Sequence, residues 1–100
     1  MAMTHNYLES LPHWSLDQAT VIAETSGIQL GDDHIAILAI ARQFFNDYGF
    51  SPSMRPLSKT LTMSLGVDKG RSIYLNQLFP GSPAKQIALL AGLPRPKNCL

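Results

Sequence analysis

Cysteine is nearly absent from this sequence of 100 residues, which contains a single one, Cys99. One thiol excludes a disulfide within the chain and a metal site built from several cysteines. The three histidines, His5, His13 and His34, show none of the short paired spacings typical of zinc ligands. We therefore expect the histidines to be structural or solvated, and we expect no metal to be bound.

Long hydrophobic runs are also lacking. The longest covers residues 35–41, whereas a helix needs about 20 apolar residues to span a bilayer. Residues 1–10 lack the basic start and apolar block of a secretory signal. The chain is 45% hydrophobic and 15% charged, which is typical of one globular domain. These features predict a cytoplasmic protein with no membrane partner.

Acidic and basic residues are divided unevenly along the chain. Residues 1–50 contain six acidic residues and Arg42, a net charge of 1 − 6 = −5. Residues 51–100 contain seven basic residues and Asp68, a net charge of 7 − 1 = +6. Two interpretations stay open: the halves pair with each other, or the second half presents a basic face to an acidic partner or a nucleic acid.

Start and stop signals predict a mainly α fold, a compact orthogonal array of about five short helices. Ser15 begins a capping-box pattern, and Gly27 and Gly49 are natural left-handed stops. Ser51, Ser53 and Ser82 are interpreted as caps rather than nucleophiles. The predicted helices cover about residues 15–25, 32–48, 53–66, 69–78 and 82–91, with the second the most buried. No segment alternates like a strand, so any sheet is small and near the N-terminus.

Residues 93–100 follow the last helix and contain Pro94 and Pro96. Alternate prolines block a helix and favour an extended path, which would give eight residues a reach of roughly 25 Å. The sequence therefore predicts a helical domain over residues 1–92 and a mobile C-terminal arm over residues 93–100 that carries Cys99.

The charged groups next to Cys99 in the sequence have opposing effects on the reactivity of its thiol, so we expect the reactivity of an ordinary cysteine. The terminal carboxylate of Leu100 raises the thiol pKa, while Arg95 and Lys97 lower it by similar amounts, so we expect a pKa near the usual value of about 8.5. No phosphate-binding loop or dinucleotide fingerprint accompanies the thiol. A thiol that needs a partner to activate it suits a carrier better than a self-sufficient enzyme.

The order of motifs resembles the DsrC/TusE family of sulfur-relay proteins and sulfite reductase gamma-type proteins. The resemblance covers about residues 6–100, from Asn6-Tyr7-Leu8 and Trp14 onward. Its most specific parts are Leu78-Phe79-Pro80, residues 81–86, residues 91–96 and the penultimate Cys99.

The resemblance implies that Cys99 takes a sulfane sulfur from upstream relay proteins as a persulfide and passes it on. The implied acceptor is a transfer-RNA thiolase, with or without its tRNA, that makes 2-thiouridine. No cofactor is implied beyond the covalent sulfur. The resemblance also implies that Arg55, Lys59 and Lys85 surround the docked arm. With Arg95 and Lys97, these cations would stabilise a thiolate or persulfide anion.

Two departures from the family pattern indicate which class of the family this chain resembles and how its N-terminal segment differs. Two-cysteine members have a second cysteine eleven residues before the last, where this chain has Ala88, which favours the single-cysteine, TusE-like class. The family's N-terminal strand segment is largely absent, so we expect any N-terminal β-hairpin to be reduced or missing.

Three other functions stay open. One is a carrier or partner subunit in dissimilatory sulfur metabolism, bound to a sulfite-reductase-type complex. Another is a helix-turn-helix-like nucleic-acid-binding module, which the basic second half permits but which leaves Cys99 without a role. The third is a purely structural subunit. Whether the chain counts as an enzyme also stays open, because a carrier turns over only with its donor and acceptor.

Overall fold

Helices make up most of the computed structural model, which describes residues 14–96. Across these residues there are six helices and no strand, so the predicted mainly α fold is confirmed. The expectation that any N-terminal β-hairpin is reduced or missing concerns residues outside the described range. The helices are α1 (Leu16–Thr25), α2 (Asp32–Tyr48), α3 (Met54–Leu65), α4 (Val67–Gly70), α5 (Ser72–Leu78) and α6 (Pro83–Leu90).

Local capping sets the ends of α1 much as the sequence predicts. The Ser15 hydroxyl accepts a hydrogen bond from the Gln18 N–H at 3.2 Å, which satisfies one of the unpaired donors of the first turn. After Thr25 the chain turns through Gly27, whose φ of +75° lies in the left-handed region.

His34 is structural, as the sequence predicts. Its Nδ1 accepts a hydrogen bond from the Gly31 N–H at 3.1 Å and caps α2. Its Nε2 lies 3.0 Å from the Leu78 carbonyl oxygen at the end of α5, so the ring carries its proton on Nε2 and donates there. The ring also meets Phe79 edge-on, with centroids 5.1 Å apart. His34 therefore ties the start of α2 to the end of α5.

The prediction of one helix over residues 69–78 is wrong, because the chain breaks at Arg71 (φ −75°, ψ +143°). The cause is a tertiary contact between α4 and α3. The Ser58 hydroxyl donates to the Gly70 carbonyl, which no longer serves as a helical acceptor. Gly70 also lies so close to α3 that a Cβ there would be 2.7 Å from the Ser58 carbonyl oxygen. This contact overrides the local helix propensity.

The core lies where α2 and α6 meet the other helices. The middle of α2 is buried, as its apolar sequence predicts, and α6 buries five of its eight residues. α6 contacts α1, α2, α3 and α5. The fully or almost fully buried apolar side chains include Ala19, Ala23, Ile37, Leu38, Leu57, Leu61, Leu75, Phe79, Ile87 and Leu90.

The uneven distribution of charge along the chain produces few ion pairs between the described residues of its two halves. Between described residues of the two halves, Lys69 Nζ and Asp33 Oδ1 lie 3.6 Å apart, and both side chains are about half exposed. Such a surface pair contributes little to stability. No helix in the described part of the chain is long and apolar enough to cross a membrane.

The close approach of α4 to α3 predicts that Gly70→Ala lowers the free energy of unfolding by about 2–3 kcal/mol, because the added methyl meets fixed backbone. Gly27→Ala is the matched control, since its Cβ would have open space. It should cost only about 1 kcal/mol, for the left-handed backbone. Urea unfolding measures both, and equal costs would contradict this packing.

Candidate functional site at the base of the C-terminal arm

The end of α6 and the start of the arm form a Schellman motif. The Leu93 N–H donates to the Ala88 carbonyl at 2.8 Å, and the Gly92 N–H donates to the Leu89 carbonyl at 3.3 Å. Gly92 has a φ of +72°, the left-handed conformation that this motif requires. The arm therefore leaves α6 in a defined direction.

Trp14 packs directly on this turn. A Cβ on Gly92 would lie 2.3 Å from Trp14 Cδ1, so only glycine leaves room for the indole ring. The Trp14 Nε1–H donates to the Leu90 carbonyl at 2.7 Å. One of the unpaired carbonyls at the end of α6 is thus satisfied by a side chain that precedes α1.

Arg42 supports the same turn from α2. Its side chain is completely buried, its Cζ lies 4.0 Å from the centroid of the Trp14 ring, and it donates to the Ala91 carbonyl. A buried guanidinium needs such partners, because leaving water without them is costly. Trp14 and Arg42 together hold two successive carbonyls, those of Leu90 and Ala91, and fix the base of the arm.

The first half of the arm lies against the body. The Ser51 hydroxyl donates to the Pro94 carbonyl, and the Pro96 ring is fully buried. Residues 93–96 therefore have defined contacts with the body, while the mobility predicted for the arm over residues 93–100 stays a prediction. Ser51 is not the cap that the sequence suggested, because its hydroxyl serves the arm instead. Lys97 and Cys99 lie outside the described residues.

A groove of about 470 Å³ runs between α6 and this part of the arm. We call it the arm groove; Lys85, Ala88, Leu89, Leu93 and Arg95 are among the residues that line it. It brings together two of the predicted cations, one from α6 and one from the arm. Neither forms an ion pair with another described residue, so both can face an anion.

The other two predicted site cations within residues 14–96 lie elsewhere. Arg55 and Lys59 are exposed on α3, one helical turn apart, and neither lines the arm groove. Their predicted place around the docked arm stays a prediction.

Sequence reasoning missed the roles of Arg42 and Ser51. Arg42 was a detectable signal, because it is the one basic residue of an acidic half and follows the apolar residues 35–41. Ser51 offered no such signal, since its partner is 43 residues away.

Comparison with known protein families shows to which family this chain belongs. The family model described as DsrC like protein matches residues 2–100. The chain belongs to the DsrC-like family. Two curated relatives of this DsrC-like chain show the same. The Haemophilus influenzae "Sulfurtransferase TusE homolog" is 45% identical over 94 residues, covering 94% of this chain and 86% of the relative. The Escherichia coli K12 "Sulfurtransferase TusE" is 41% identical over 97 residues, covering 97% and 89%.

Two solved structures share the fold. The NMR structure of Allochromatium vinosum DsrC matches with a TM-score of 0.81 at 37% identity, covering 91% of this chain and 81% of the other. The crystal structure of the oxidized gamma-subunit of dissimilatory sulfite reductase from Archaeoglobus fulgidus matches with a TM-score of 0.74 at 30% identity, covering 95% and 83%. In this DsrC-like chain the buried Ala88 borders the arm groove, at the position where the resemblance puts a second cysteine.

The Ser51 contact predicts that Ser51→Ala loosens the start of the arm without unfolding the domain. Loss of one hydrogen bond of about 1 kcal/mol should speed hydrogen exchange at the Leu93 amide by roughly five- to tenfold. Ser64→Ala is the control, because Ser64 is exposed on α3. Unchanged exchange at Leu93, measured by NMR, would show that Ser51 does not hold the arm.

The buried position of Arg42 predicts that Arg42→Met lowers the free energy of unfolding by about 2–4 kcal/mol. Methionine fills much of the space but leaves the Ala91 carbonyl without its donor and the Trp14 ring without its cation. Arg71→Met, at an exposed arginine, should change stability by less than about 0.5 kcal/mol. Urea denaturation that gives equal values for the two variants would refute the role assigned to Arg42.

Proposed function

We propose that this chain is a sulfur-relay carrier that accepts a sulfane sulfur on Cys99 as a persulfide and passes it to an acceptor. The observation that carries the proposal is the anchored base of the arm. Residues 93–96 are held by the body, and the only thiol of the chain follows three residues after Pro96. The names of the curated relatives, sulfurtransferases 41–45% identical to this chain, support the same chemistry.

Sulfur transfer to Cys99 would need no external oxidant. The Cys99 thiolate attacks the terminal sulfur of a donor persulfide, and a new S–S bond forms as the donor's S–S bond breaks. The bonding electron pair leaves with the donor thiolate, which takes up the proton of the transferred sulfur. In delivery, a nucleophile of the acceptor attacks the terminal sulfur of the persulfide on Cys99. A bond from that nucleophile to the sulfur forms as the S–S bond breaks, and the bonding electron pair leaves with the Cys99 thiolate.

The cations beside the arm suit this chemistry. A thiolate and a persulfide are anions, and nearby positive charge stabilises both. Lys85 and Arg95 line the arm groove, and Lys97 precedes Cys99 by two residues in the sequence. For Arg55 and Lys59, the support remains the family resemblance alone.

The pathway that we favour is synthesis of 2-thiouridine in transfer RNA, carried out in the cytoplasm. The curated relatives bear the TusE name, and Ala88 excludes a second thiol at the arm groove. The second candidate is dissimilatory sulfur metabolism with a sulfite-reductase-type partner. It is favoured by the likeness to the A. fulgidus gamma-subunit, although at only 30% identity.

The proposal predicts that Cys99→Ser abolishes sulfur loading. After incubation with a cysteine desulfurase and cysteine, or with sodium tetrasulfide, the wild-type mass should rise by whole sulfur atoms that a reductant removes. The Cys99→Ser variant should gain none. In the source organism, the same substitution should lower the 2-thiouridine content of transfer RNA as much as deletion of the gene.

The results of these experiments distinguish failure of the carrier function from failure of the favoured pathway. Equal sulfur loading of the Cys99→Ser variant, or a wild type that no sulfur source loads, would refute the carrier function. Normal 2-thiouridine in the deletion strain, together with a loadable wild type, would move the carrier to the dissimilatory pathway.

A further inference from the structure

A cluster of three aromatic rings lies where α2 ends and the chain turns toward α3. The ring centroids of Phe44 and Tyr48 are 4.6 Å apart, and that of Phe50 lies 5.5 Å from Phe44 and 6.3 Å from Tyr48. Phe44 is buried, whereas Tyr48 is 63% exposed and Phe50 is 48% exposed. Two rings that pack on a buried third ring and still face solvent are typical of a binding surface.

A cleft of about 260 Å³ opens beside this cluster, and we call it the α2–α3 cleft. Its apolar lining comes from Ile40, Phe44 and Tyr48 on α2 and from Met63 on α3. The cleft therefore offers aromatic surface from one helix and a flexible thioether, 79% exposed, from the other. Its volume lies just below the about 300–1,000 Å³ typical of pockets for whole small molecules, so it suits one flat group.

Polar side chains on the same lining can bond to the edge of a flat group. Gln43 and Asp47 line the cleft from α2, and Thr60 and Ser64 line it from α3. Gln43 Nε2 donates to Asp47 Oδ1 at 2.9 Å, which leaves the other carboxylate oxygen and the amide oxygen without a partner among residues 14–96. An unpaired nucleobase uses this combination, because its face stacks on a ring while its edge both donates and accepts hydrogen bonds.

Two cations extend this surface along α3. Arg55, Lys59 and Met63 are all exposed and follow one another at intervals of four residues, so they form one row on the helix. Neither cation forms an ion pair with another residue in 14–96. A phosphate attached to a base in the cleft would meet Lys59 one helical turn away. The Asp47 carboxylate repels phosphate, which directs the backbone toward this row rather than across the cleft.

The combination of exposed rings and free cations favours single-stranded nucleic acid over an acidic protein segment. Stacking on aromatic rings and neutralisation of phosphates are the two contacts that single strands use. Carboxylates of a protein would meet the cations but would leave the rings and the base-edge groups of the cleft unused. A duplex keeps its bases paired and stacked, so only an unpaired base can enter.

The aromatic cluster also adjoins the base of the arm. Phe50 directly precedes Ser51, whose hydroxyl donates to the Pro94 carbonyl. In the proposed function the acceptor of the sulfur acts on transfer RNA, so that RNA is close to the arm when the acceptor meets Cys99. A single complex of acceptor and RNA can therefore contact the arm and the cleft together.

We propose that the α2–α3 cleft binds an unpaired base of this transfer RNA, with the adjoining backbone on Lys59 and Arg55. The inference rests on the proposed function in transfer-RNA thiolation and adds a direct contact between the carrier and the RNA. The occupant of the cleft is one nucleotide of a single-stranded segment.

Binding of a fluorescent transfer RNA transcript to the purified full chain, measured by anisotropy, tests the cleft. Tyr48→Ala should weaken binding roughly tenfold, a loss typical of one stacked base. Tyr48→Phe keeps the ring and should bind like the wild type. Met63→Ala should weaken binding roughly threefold, because part of the apolar lining is lost. Val21→Ala, at a side chain 62% exposed on α1, is the matched control and should change nothing.

Circular dichroism checks that these variants keep the fold, which exposed positions allow. Wild-type affinity in Tyr48→Ala would overturn the proposed cleft. A wild type that binds no transfer RNA, together with slower sulfur transfer from Tyr48→Ala to the purified acceptor protein without RNA, would make this surface a protein contact and the inference wrong.

Removal of the two cations tests the contact with the backbone. In the double variant Arg55→Gln, Lys59→Gln, the slope of log affinity against log salt concentration should become shallower by about 1.4, or roughly 0.7 for each lost phosphate contact. The control Lys69→Gln, Arg71→Gln removes the same charge elsewhere. Lys69 is paired with Asp33 at the start of α2, whereas the cleft lies along its second half. An equal change in the control would show attraction by net charge alone and contradict the site.

Unlabelled competitors distinguish recognition of a base from attraction to the backbone. Single-stranded oligouridine should displace the labelled transfer RNA. A blunt RNA duplex of the same length should need about ten times the concentration or more, because its bases are not free to stack. Equal competition by the duplex would mean that no base enters the cleft.

Loading with sodium tetrasulfide separates this inference from the proposed function. Tyr48→Ala and Met63→Ala should gain sulfur on Cys99 like the wild type, because neither residue lines the arm groove. A wild type that binds transfer RNA but takes up no sulfur would refute the carrier function alone. A wild type that takes up sulfur but binds transfer RNA no better than Tyr48→Ala would refute the cleft alone.

Discussion

The buried guanidinium of Arg42, stacked on Trp14 and bonded to the Ala91 carbonyl, is the contact on which the position of the arm depends. It joins three parts of the chain that are distant in sequence: the residue before the cap of α1, the middle of α2 and the end of α6. A charge taken out of water needs partners at fixed positions. Those partners include an aromatic face and a main-chain carbonyl, which fix the position of the guanidinium.

This anchoring changes how the terminal thiol can work. An arm that is free from residue 93 could sweep roughly 25 Å, whereas an arm held as far as Pro96 keeps Cys99 within about 11 Å of a fixed point. Three contacts hold the start of the arm against the body: the Schellman turn, the hydrogen bond from the Ser51 hydroxyl and the burial of Pro96. A short tether favours exchange with a partner that docks at one place over exchange with any thiol in solution.

The sequence predicts the parts of the fold that local chemistry controls. The Ser15 cap, the glycine stops and the apolar middle of α2 place four helices within a residue or two of their observed ends. The break at Arg71 could not be predicted, because it arises from the contact of Gly70 with Ser58 on another helix.

The candidate site divides in the same way. The sequence alone predicts that the candidate site contains Cys99, its proline-containing arm and the neighbouring cations. Tertiary structure is needed to see that Lys85 and Arg95 share a groove while Arg55 and Lys59 lie on α3. The hydrogen bond of Ser51 to an arm 43 residues away follows from no local pattern.

The central claim, that the body holds residues 93–96 and so limits the reach of the terminal thiol, is tested most directly by a nitroxide label on Cys99. Paramagnetic broadening of backbone amide signals reports which surface lies near the label. The account predicts strong broadening at Lys85, Leu89 and Arg95 and none at Tyr48 or Met63. Broadening spread evenly over both surfaces would show an arm that is not held, and would contradict the account.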